Sequence, residues 1–271
     1  MASFGRTVRG MGTDTMTTTC IACDHVVAAD SLEGLGLAFL AHVRAEHELP
    51  YGDRAIRNYA EASQRLTGSA ARLDAIGTVS VEPVTSERVD DWLELFDHHG
   101  FVGKPEWAAC YCLEPHELDP AIGEREPADW RDNRAAMVER LHSGRAFGYL
   151  AYVDGQPAGW VNASLRSEYA LYRRGDRVDP ASGQPTDEQV VGISCFVVAP
   201  PYRGHGVSRA LLDRVVTDAA GRGATWVEAY PFTGANDGPE SFRGSQASYA
   251  QAGFEQVKER ERDVVMGRRP A

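Results

Sequence analysis

A glycine-rich turn, Arg203-Gly204-His205-Gly206-Val207-Ser208, has the residue types and spacing of an anion-binding site. It follows a β-branched and aromatic stretch typical of a strand, Val190–Val198, and Pro200-Pro201 then prevents further ladder pairing. The residues after the turn have the apolar spacing of an amphipathic helix. At a helix start the first N–H groups have no internal partner, the dipole favours negative charge, and glycines let a bulky anion approach the main chain. We therefore expect a pyrophosphate here, with an ordinary strand-to-helix turn as the alternative.

Two cysteines and two histidines near the N-terminus have the chemistry of a metal site. Cys20 and Cys23 are separated by two residues, and His42 and His47 follow after a further 18 residues, near the end of a predicted helix. Thiolate sulfur and imidazole nitrogen are suitable ligands for tetrahedral Zn²⁺. We expect these four residues to bind zinc, with chance pairing as the alternative. His25, on the turn beside Cys23, is expected to be a bystander rather than a ligand.

This ligand order resembles that of a Cys2His2 zinc finger, although the gap between the two ligand pairs is longer than the usual dozen residues. Residues 20–49 contain five carboxylates and a single basic residue, Arg44, so phosphate would be repelled. The predicted helix also lacks the arginine, lysine, asparagine or glutamine needed at base-reading positions. We therefore expect a structural or protein-binding module and no nucleic-acid partner.

The glycine-rich turn resembles the Arg/Gln-x-x-Gly-x-Gly/Ala signature of the GCN5-related N-acetyltransferase (GNAT) superfamily. Arg203 and Gly206 match that signature, and Ser208 stands where the family prefers glycine or alanine. A second similarity is Tyr249-x-x-x-Gly253-Phe254, which matches the last helix and turn of the superfamily. The turn matches neither the dinucleotide-binding nor the nucleotide triphosphatase spacing of glycines.

The resemblance implies a binding site for acetyl-coenzyme A. Its pyrophosphate would lie on the turn, formed by Arg203, Gly204, His205, Gly206, Val207 and Ser208. Its pantetheine arm would bind the backbone of the preceding strand, at Phe196, Val197 and Val198. The resemblance also implies that Tyr249 returns a proton to the leaving thiolate; packing of its ring on Phe254 is the alternative.

The general base is not supplied by the resemblance, because Gly192 stands where histone-modifying relatives have a glutamate. Glu188, just before the strand, and Glu228, on the neighbouring strand, are the best carboxylate candidates. The alternative for each, which the sequence favours over the base role, is a surface or substrate-orienting group; water-mediated deprotonation would suffice for either.

The elements that position these residues follow the GNAT order from Thr78 onward: a strand, two helices, a hairpin at Asp154-Gly155, the strand and helix around the turn, a short strand, a helix and two final strands. The predicted fold is α/β (α+β), with a central mixed, mostly antiparallel sheet flanked by helices and a small zinc-finger module in front. The predicted domains are a disordered tail (1–19), the zinc-finger-like module (20–49), a helical linker (50–77) and the acetyltransferase domain (78–271).

Composition limits the possible partners and location. The chain has 271 residues, a net charge of −11 and no apolar run approaching 18 residues. We therefore expect a cytoplasmic protein that binds neither membrane nor nucleic acid. The cysteines outside the zinc-finger-like module, Cys110, Cys112 and Cys195, are expected to be buried thiols, with a second metal site or a redox pair as alternatives.

The sequence thus predicts an acetyl-CoA-dependent N-acetyltransferase that moves an acetyl group to a primary amine of a small molecule or protein by direct attack. Acetyl-CoA is the co-substrate and Zn²⁺ is structural. The alternative is a non-catalytic domain that binds an acyl-CoA while the zinc finger recruits a protein partner. A regulator of transcription is a weaker third hypothesis, because the finger is acidic.

Overall fold

The computed structural model describes residues 15–20, 23–47, 52–101, 105–117, 129–174, 184–234 and 239–271. The described residues form a small N-terminal module (residues 16–47), a helix that follows it, and a seven-stranded sheet with helices on both faces. None of the described helices is long and apolar enough to cross a membrane.

The N-terminal module is a two-stranded hairpin followed by a helix. Strands β1 (Met16–Thr19) and β2 (Val26–Ala29) pair antiparallel, and helix α1 (Leu32–Glu46) begins after Ser31, whose side chain accepts a hydrogen bond from the Gly34 N–H. Part of the tail predicted to be disordered is therefore a strand, because its β-branched threonines pair with β2. The rest of that predicted tail, up to residue 14, lies outside the described residues.

Helix α2 (Asp53–Arg65) packs against the core of the N-terminal module on one side and leads into the core of the large sheet on the other, which a linker would not do. Its Ile56, Tyr59 and Ala60 are buried against three α1 side chains, Leu35, Phe39 and Val43. Residues further along, Ala62, Leu66 and Ile76, are buried in the core of the large sheet. The segment predicted as a helical linker therefore joins the two cores.

The central sheet has the strand order β3-β4-β5-β6-β7-β9-β8. Its strands are β3 (Val79–Pro83), β4 (Gly148–Val153), β5 (Gln156–Leu165), β6 (Val190–Val198), β7 (Trp226–Ala229), β8 (Glu255–Glu259) and β9 (Val264–Arg268). The pair β6 and β7 is parallel, and the other neighbouring pairs are antiparallel. The predicted mixed, mostly antiparallel sheet is confirmed.

Helices cover both faces of this sheet. They are α3 (Val89–Glu94), α4 (Glu114–Glu117), α5 (Trp130–His142), α6 (Val207–Asp218) and α7 (Gln246–Gln251). Successive residues of a strand point to opposite faces. Trp160 of β5 meets Trp92 of α3, whereas the preceding Gly159 faces Val207 and Leu211 of α6. Helices α3 and α6 therefore lie on opposite faces.

Strands β6 and β7 separate partway along β6. Their pairing runs only from Val190 to Ile193 on β6. The next residue, Ser194, is a bulge opposite β5, since Asn162 pairs with Cys195 and Ala163 pairs with Ile193. Residues 194–198 of β6 therefore continue without β7 beside them, and a cavity opens along that edge.

Candidate functional site

The cavity beside the second half of β6 has a volume of about 650 Å³. One end is formed by the glycine-rich turn and the start of α6, and the other by the segment before α7 and by α7 itself. Of the residues predicted to bind the cofactor, those that line it are Phe196, Val198, Arg203, Gly204, Gly206, Val207 and Ser208. Two predicted residues, Val197 and His205, do not belong to the lining. Val197 faces the helical turn at Gly100, and His205 binds Ser69.

The turn has the backbone conformation that an anion-binding helix start requires. Gly204 and Gly206 have φ of +78° and +93°, where a side chain would be strained. Gly206 is the N-cap of α6, with no side-chain cap and no acidic residue in the first turn of the helix. The Arg203 guanidinium holds the turn against the end of β6, donating from Nε to the Val198 carbonyl at 2.8 Å. The first N–H groups of α6 are therefore left for a negatively charged ligand.

Tyr249 lies at the other end of the cavity, packed between Phe254 and Phe196 with ring centroids 5.3 and 6.4 Å away. Its hydroxyl donates a hydrogen bond to the Arg243 carbonyl at 2.9 Å. Gly244, at φ +75°, leaves room for the ring, since a Cβ there would lie 3.1 Å from it. Burial raises the pKa of Tyr249 well above its usual value, so its hydroxyl is protonated at neutral pH.

Residues 107–238 match the family model of the Acetyltransferase (GNAT) family. This domain belongs to the GNAT family. Similar solved structures include an N-acetyltransferase from Staphylococcus aureus Mu50, with a TM-score of 0.42, 13% identity, and 72% of this chain and 100% of that chain covered. The GNAT domain of S. lividans PAT has a TM-score of 0.45 and 17% identity, covering 74% of this chain and 95% of that one.

A third similar structure is the PaiA N-acetyltransferase from Thermoplasma acidophilum in complex with coenzyme A. Its TM-score is 0.42 and its identity 10%, with 71% of this chain and 99% of that chain covered. No curated protein matches the sequence.

Glu228, a predicted base of the GNAT domain, lies in a buried cluster of charges. Its Oε1 accepts hydrogen bonds from Arg166 Nη1 and Arg174 Nη2, both at 3.0 Å, and its Oε2 accepts one from the Tyr230 hydroxyl at 3.1 Å. Arg166 is fully buried and also donates to Asp187 at 2.5 Å. Burial alone would lower the pKa of Arg166, but the Glu228 and Asp187 carboxylates outweigh it and raise that pKa. Glu228 is therefore held by structural ion pairs and does not line the cavity.

Glu188, the other predicted base, is exposed and precedes β6. Because a strand rises about 3.3 Å per residue, Glu188 lies roughly 25 Å along the chain from Phe196, where the cavity begins. The structure brings neither predicted carboxylate to the cavity. A role of Glu188 or Glu228 as the general base therefore stays a prediction, and the position of neither residue favours it.

The position of the family's glutamate, Gly192, is closed by aromatic side chains. A Cβ added there would lie 2.9 Å from the Tyr169 ring and 3.2 Å from the Tyr230 hydroxyl. The Tyr169 hydroxyl is the centre of a buried network: it donates to Asn162 Oδ1 at 2.8 Å and accepts from the Ser194 hydroxyl at 3.3 Å. A carboxylate cannot enter at this point without displacing these rings.

His116 completes this network. It lies beside the Tyr169 ring, 4.6 Å between centroids, with Nδ1 3.0 Å from the Glu168 carbonyl and Nε2 3.1 Å from Asn162 Nδ2. The carbonyl can only accept, so Nδ1 carries the proton and Nε2 accepts from the amide. Burial lowers the pKa of His116 to about 4, so the ring is neutral. His116 gave no signal in the sequence, because an isolated histidine between Pro115 and Glu117 belongs to no periodic pattern.

The predicted metal ligands converge in the N-terminal module. Ligand atoms of Cys20, Cys23, His42 and His47 all lie within 4.8 Å of one another. His47 Nε2 is 3.2 Å from Cys23 Sγ and 3.6 Å from Cys20 Sγ, and His42 Nε2 is 3.3 Å from Cys23 Sγ. A tetrahedral zinc ion with Zn–S near 2.3 Å and Zn–N near 2.0 Å requires S···N edges of about 3.5 Å. The four residues therefore fit zinc, and His25 stacks on His42 at 4.5 Å without joining the ligand set.

The remaining cysteines are only partly as predicted. Cys112 is buried and its Sγ lies 2.9 Å from the Sγ of the half-buried Cys195, whereas Cys110 is exposed. Burial and the nearby Cys195 raise the pKa of Cys112 well above its usual value, which makes it a poor nucleophile. The expected buried thiol is found at Cys112, and the pairing with Cys195 comes from the fold rather than from the Cys-x-Cys spacing.

Several cavity residues gave no signal in the sequence. Ser241, Phe242, Ser245 and Ser248 line the cavity near Tyr249, and Arg209 lines it beside the turn. They belong to a segment without periodicity or, in the case of Arg209, to the polar side of a helix. Trp107 also lines the cavity and packs edge-on against Phe242 at 5.9 Å.

Proposed function

We propose that the protein is an acetyl-CoA-dependent N-acetyltransferase that transfers the acetyl group to a primary amine of a small molecule or protein by direct attack. The observation that carries the proposal is that an anion-binding helix start and a buried, protonated tyrosine lie at the two ends of the same cavity. Family membership of the domain supports the same reaction class. We call the turn at residues 203–208 the coenzyme A loop.

Binding would use the main chain on both sides of Val198. The N–H groups at the start of α6 and the glycines of the coenzyme A loop suit a pyrophosphate. Residues 194–198 of β6 have no β7 partner on the cavity side, so the backbone groups of Phe196 and Val198, which alternate with those directed at β5, can bind the amides of a pantetheine arm. The Val197 backbone faces β5 instead, since the Ala199 N–H two residues further on donates to the Ala158 carbonyl, so the position of Val197 does not favour its predicted role.

The chain's own contribution to the chemistry is positioning, polarisation and one proton. An amine held in the cavity attacks the thioester carbonyl, and the negative charge that develops on its oxygen is stabilised by a backbone N–H of β6. The attacking nitrogen loses its proton to water, the carbon–sulfur bond breaks, and the thiolate that leaves takes a proton. Tyr249 holds that proton in a hydrogen bond to the Arg243 carbonyl, from which the hydroxyl turns toward the sulfur.

We also propose that Cys20, Cys23, His42 and His47 bind a structural zinc ion. The two strands and one helix of the N-terminal module bury few side chains, so a tetrahedral ion closes a core that the chain cannot complete alone. The interaction of the module with a protein partner is a further expectation.

The test is release of free thiol from acetyl-CoA with a panel of amines: polyamines, aminoglycosides, amino acids and lysine peptides. An N-acetyltransferase gives acceptor-dependent thiol release and a product heavier by one acetyl group. The rival, a non-catalytic acyl-CoA-binding domain, gives saturable acetyl-CoA binding in calorimetry and no thiol release with any amine class.

A further inference from the structure

The segment after α2 lies against the outer side of the coenzyme A loop. The Ser69 Oγ is 2.9 Å from His205 Nε2. Leu73 also lies close to Gly206, since a Cβ added to Gly206 would be 3.9 Å from the Leu73 Cβ. Helix α2 itself contacts the turn Pro200–Tyr202, which immediately precedes the loop. The loop is thus held between the cavity on one side and the end of the N-terminal region on the other.

His205 transmits this contact to the loop backbone. Its Nδ1 is 2.9 Å from the Arg203 carbonyl, which can only accept, so Nδ1 donates there and Nε2 accepts a hydrogen bond from the Ser69 hydroxyl. The Arg203 carbonyl is therefore fixed on the His205 side. Because the peptide is planar and trans, the Gly204 N–H on the same peptide points the opposite way. Ser69 thus helps to set the orientation of a cavity-lining peptide without touching the cavity.

The same region is continuous with the metal ligands. Tyr59 of α2 is buried against Phe39 of α1, with ring centroids 5.3 Å apart. Tyr59 and the metal ligand Cys20 are buried in the same hydrophobic cluster. Arg54 and Arg65 then tie α2 to the β4–β5 hairpin, through Gln156 at 2.6 Å and Asp154 at 3.5 Å.

We propose that the N-terminal module positions the coenzyme A loop, with Ser69 as the positioning residue that holds the loop through His205, so that metal binding raises the affinity for acetyl-CoA. The inference rests on the proposed binding of acetyl-CoA at this loop. It gives the metal a role at the active site although no metal ligand touches the cavity.

The test is calorimetric titration of the full chain with acetyl-CoA. Ser69→Ala removes one hydrogen bond and is expected to weaken binding about 5-fold, with unchanged zinc content and unchanged melting without ligand. Ser69→Thr keeps the hydroxyl and restores the affinity. Removing the metal with a chelator, or by Cys23→Ala, is expected to weaken binding by roughly 5-fold or more, as is typical of coupled sites. Circular dichroism checks that the sheet domain stays folded.

The matched control is Ser143→Ala, since Ser143 is an exposed serine at the end of α5 whose hydroxyl donates to the Arg140 carbonyl. It should bind like the wild type. Wild-type affinity in Ser69→Ala, or equal affinity with and without metal, would overturn the inference while leaving the proposed function intact. Failure of the wild type itself to bind acetyl-CoA would remove both.

Discussion

Replacing Glu228 by glutamine should destabilise the protein because it breaks a buried charge balance. Arg166 and Arg174 face Glu228 and Asp187, so two positive charges meet two negative ones. Arg166 is 0% exposed and Glu228 is 2% exposed, so water cannot replace the lost partner. Glutamine has nearly the same shape but leaves the cluster with an uncompensated positive charge and places an amide N–H near guanidinium groups.

The expected loss is about 3 kcal/mol, the low end for breaking a buried ion pair, because Asp187 still neutralises part of the Arg166 charge. The measurement is urea unfolding followed by circular dichroism. The matched control is Glu188→Gln, which removes the same charge at an exposed position and should change the stability by less than about 0.5 kcal/mol.

The result that would refute this reasoning is a Glu228→Gln protein as stable as the wild type. If that protein also lost turnover at unchanged acetyl-CoA affinity and lacked the alkaline-rising part of the rate profile, Glu228 would be the general base that the sequence predicts. Urea unfolding and the rate profile together therefore decide between the structural and the catalytic role.

Three further predictions concern the metal, the acid and pH. Elemental analysis should find about one zinc ion per chain. The variant Cys20→Ala should lose the zinc and keep a folded sheet domain, whereas the control Cys110→Ala should keep the metal. Zinc retained in Cys20→Ala would refute the ligand set. Tyr249→Phe should lower turnover roughly 10²-fold or more at nearly unchanged acetyl-CoA affinity; full turnover where chemistry limits the rate would rule it out as the acid. The pKa of His116, about 4 in the fold against 6.5 unfolded, means that stability is full above pH 6.5 and falls as the pH drops toward 4. Between pH 7 and 5 this loss is about 2 kcal/mol, and it should vanish from the pH slope of unfolding in His116→Gln.

Local chemistry made the coenzyme A loop and the metal ligands predictable from sequence. Gly206 is needed because the N-cap of α6 has a positive φ, and the strand before it and the helix after it each have their own periodicity. The Cys and His pairs lie close together because a hairpin turn carries one pair and the end of α1 carries the other. Such features depend on a few neighbouring residues, so their pattern can be recognised in a single sequence.

The partners of Glu228 were not predictable, because they come from distant parts of the chain. Arg166 and Arg174 precede it by more than fifty residues, and only the pairing of β6 with β7 brings Glu228 beside them. The same holds for the 2.9 Å contact between Cys112 and Cys195. The packing of α2 against two cores was also not predictable, since apolar residues on two sides of a short helix do not indicate which core each side contacts.

The most direct test of the central claim is the acetyl-CoA-induced rise in melting temperature, compared between the wild type and Gly206→Glu. The glutamate would strain the turn at φ +93° and add a negative charge at the N-cap of α6, beside the N–H groups that the pyrophosphate must meet. Gly223→Glu is the matched control, because Gly223 also has a positive φ, +81°, with open space around it, and lies at the far end of α6. We predict that saturating acetyl-CoA raises the melting temperature of the wild type and of Gly223→Glu but not that of Gly206→Glu. An equal rise in all three proteins would contradict binding at the coenzyme A loop.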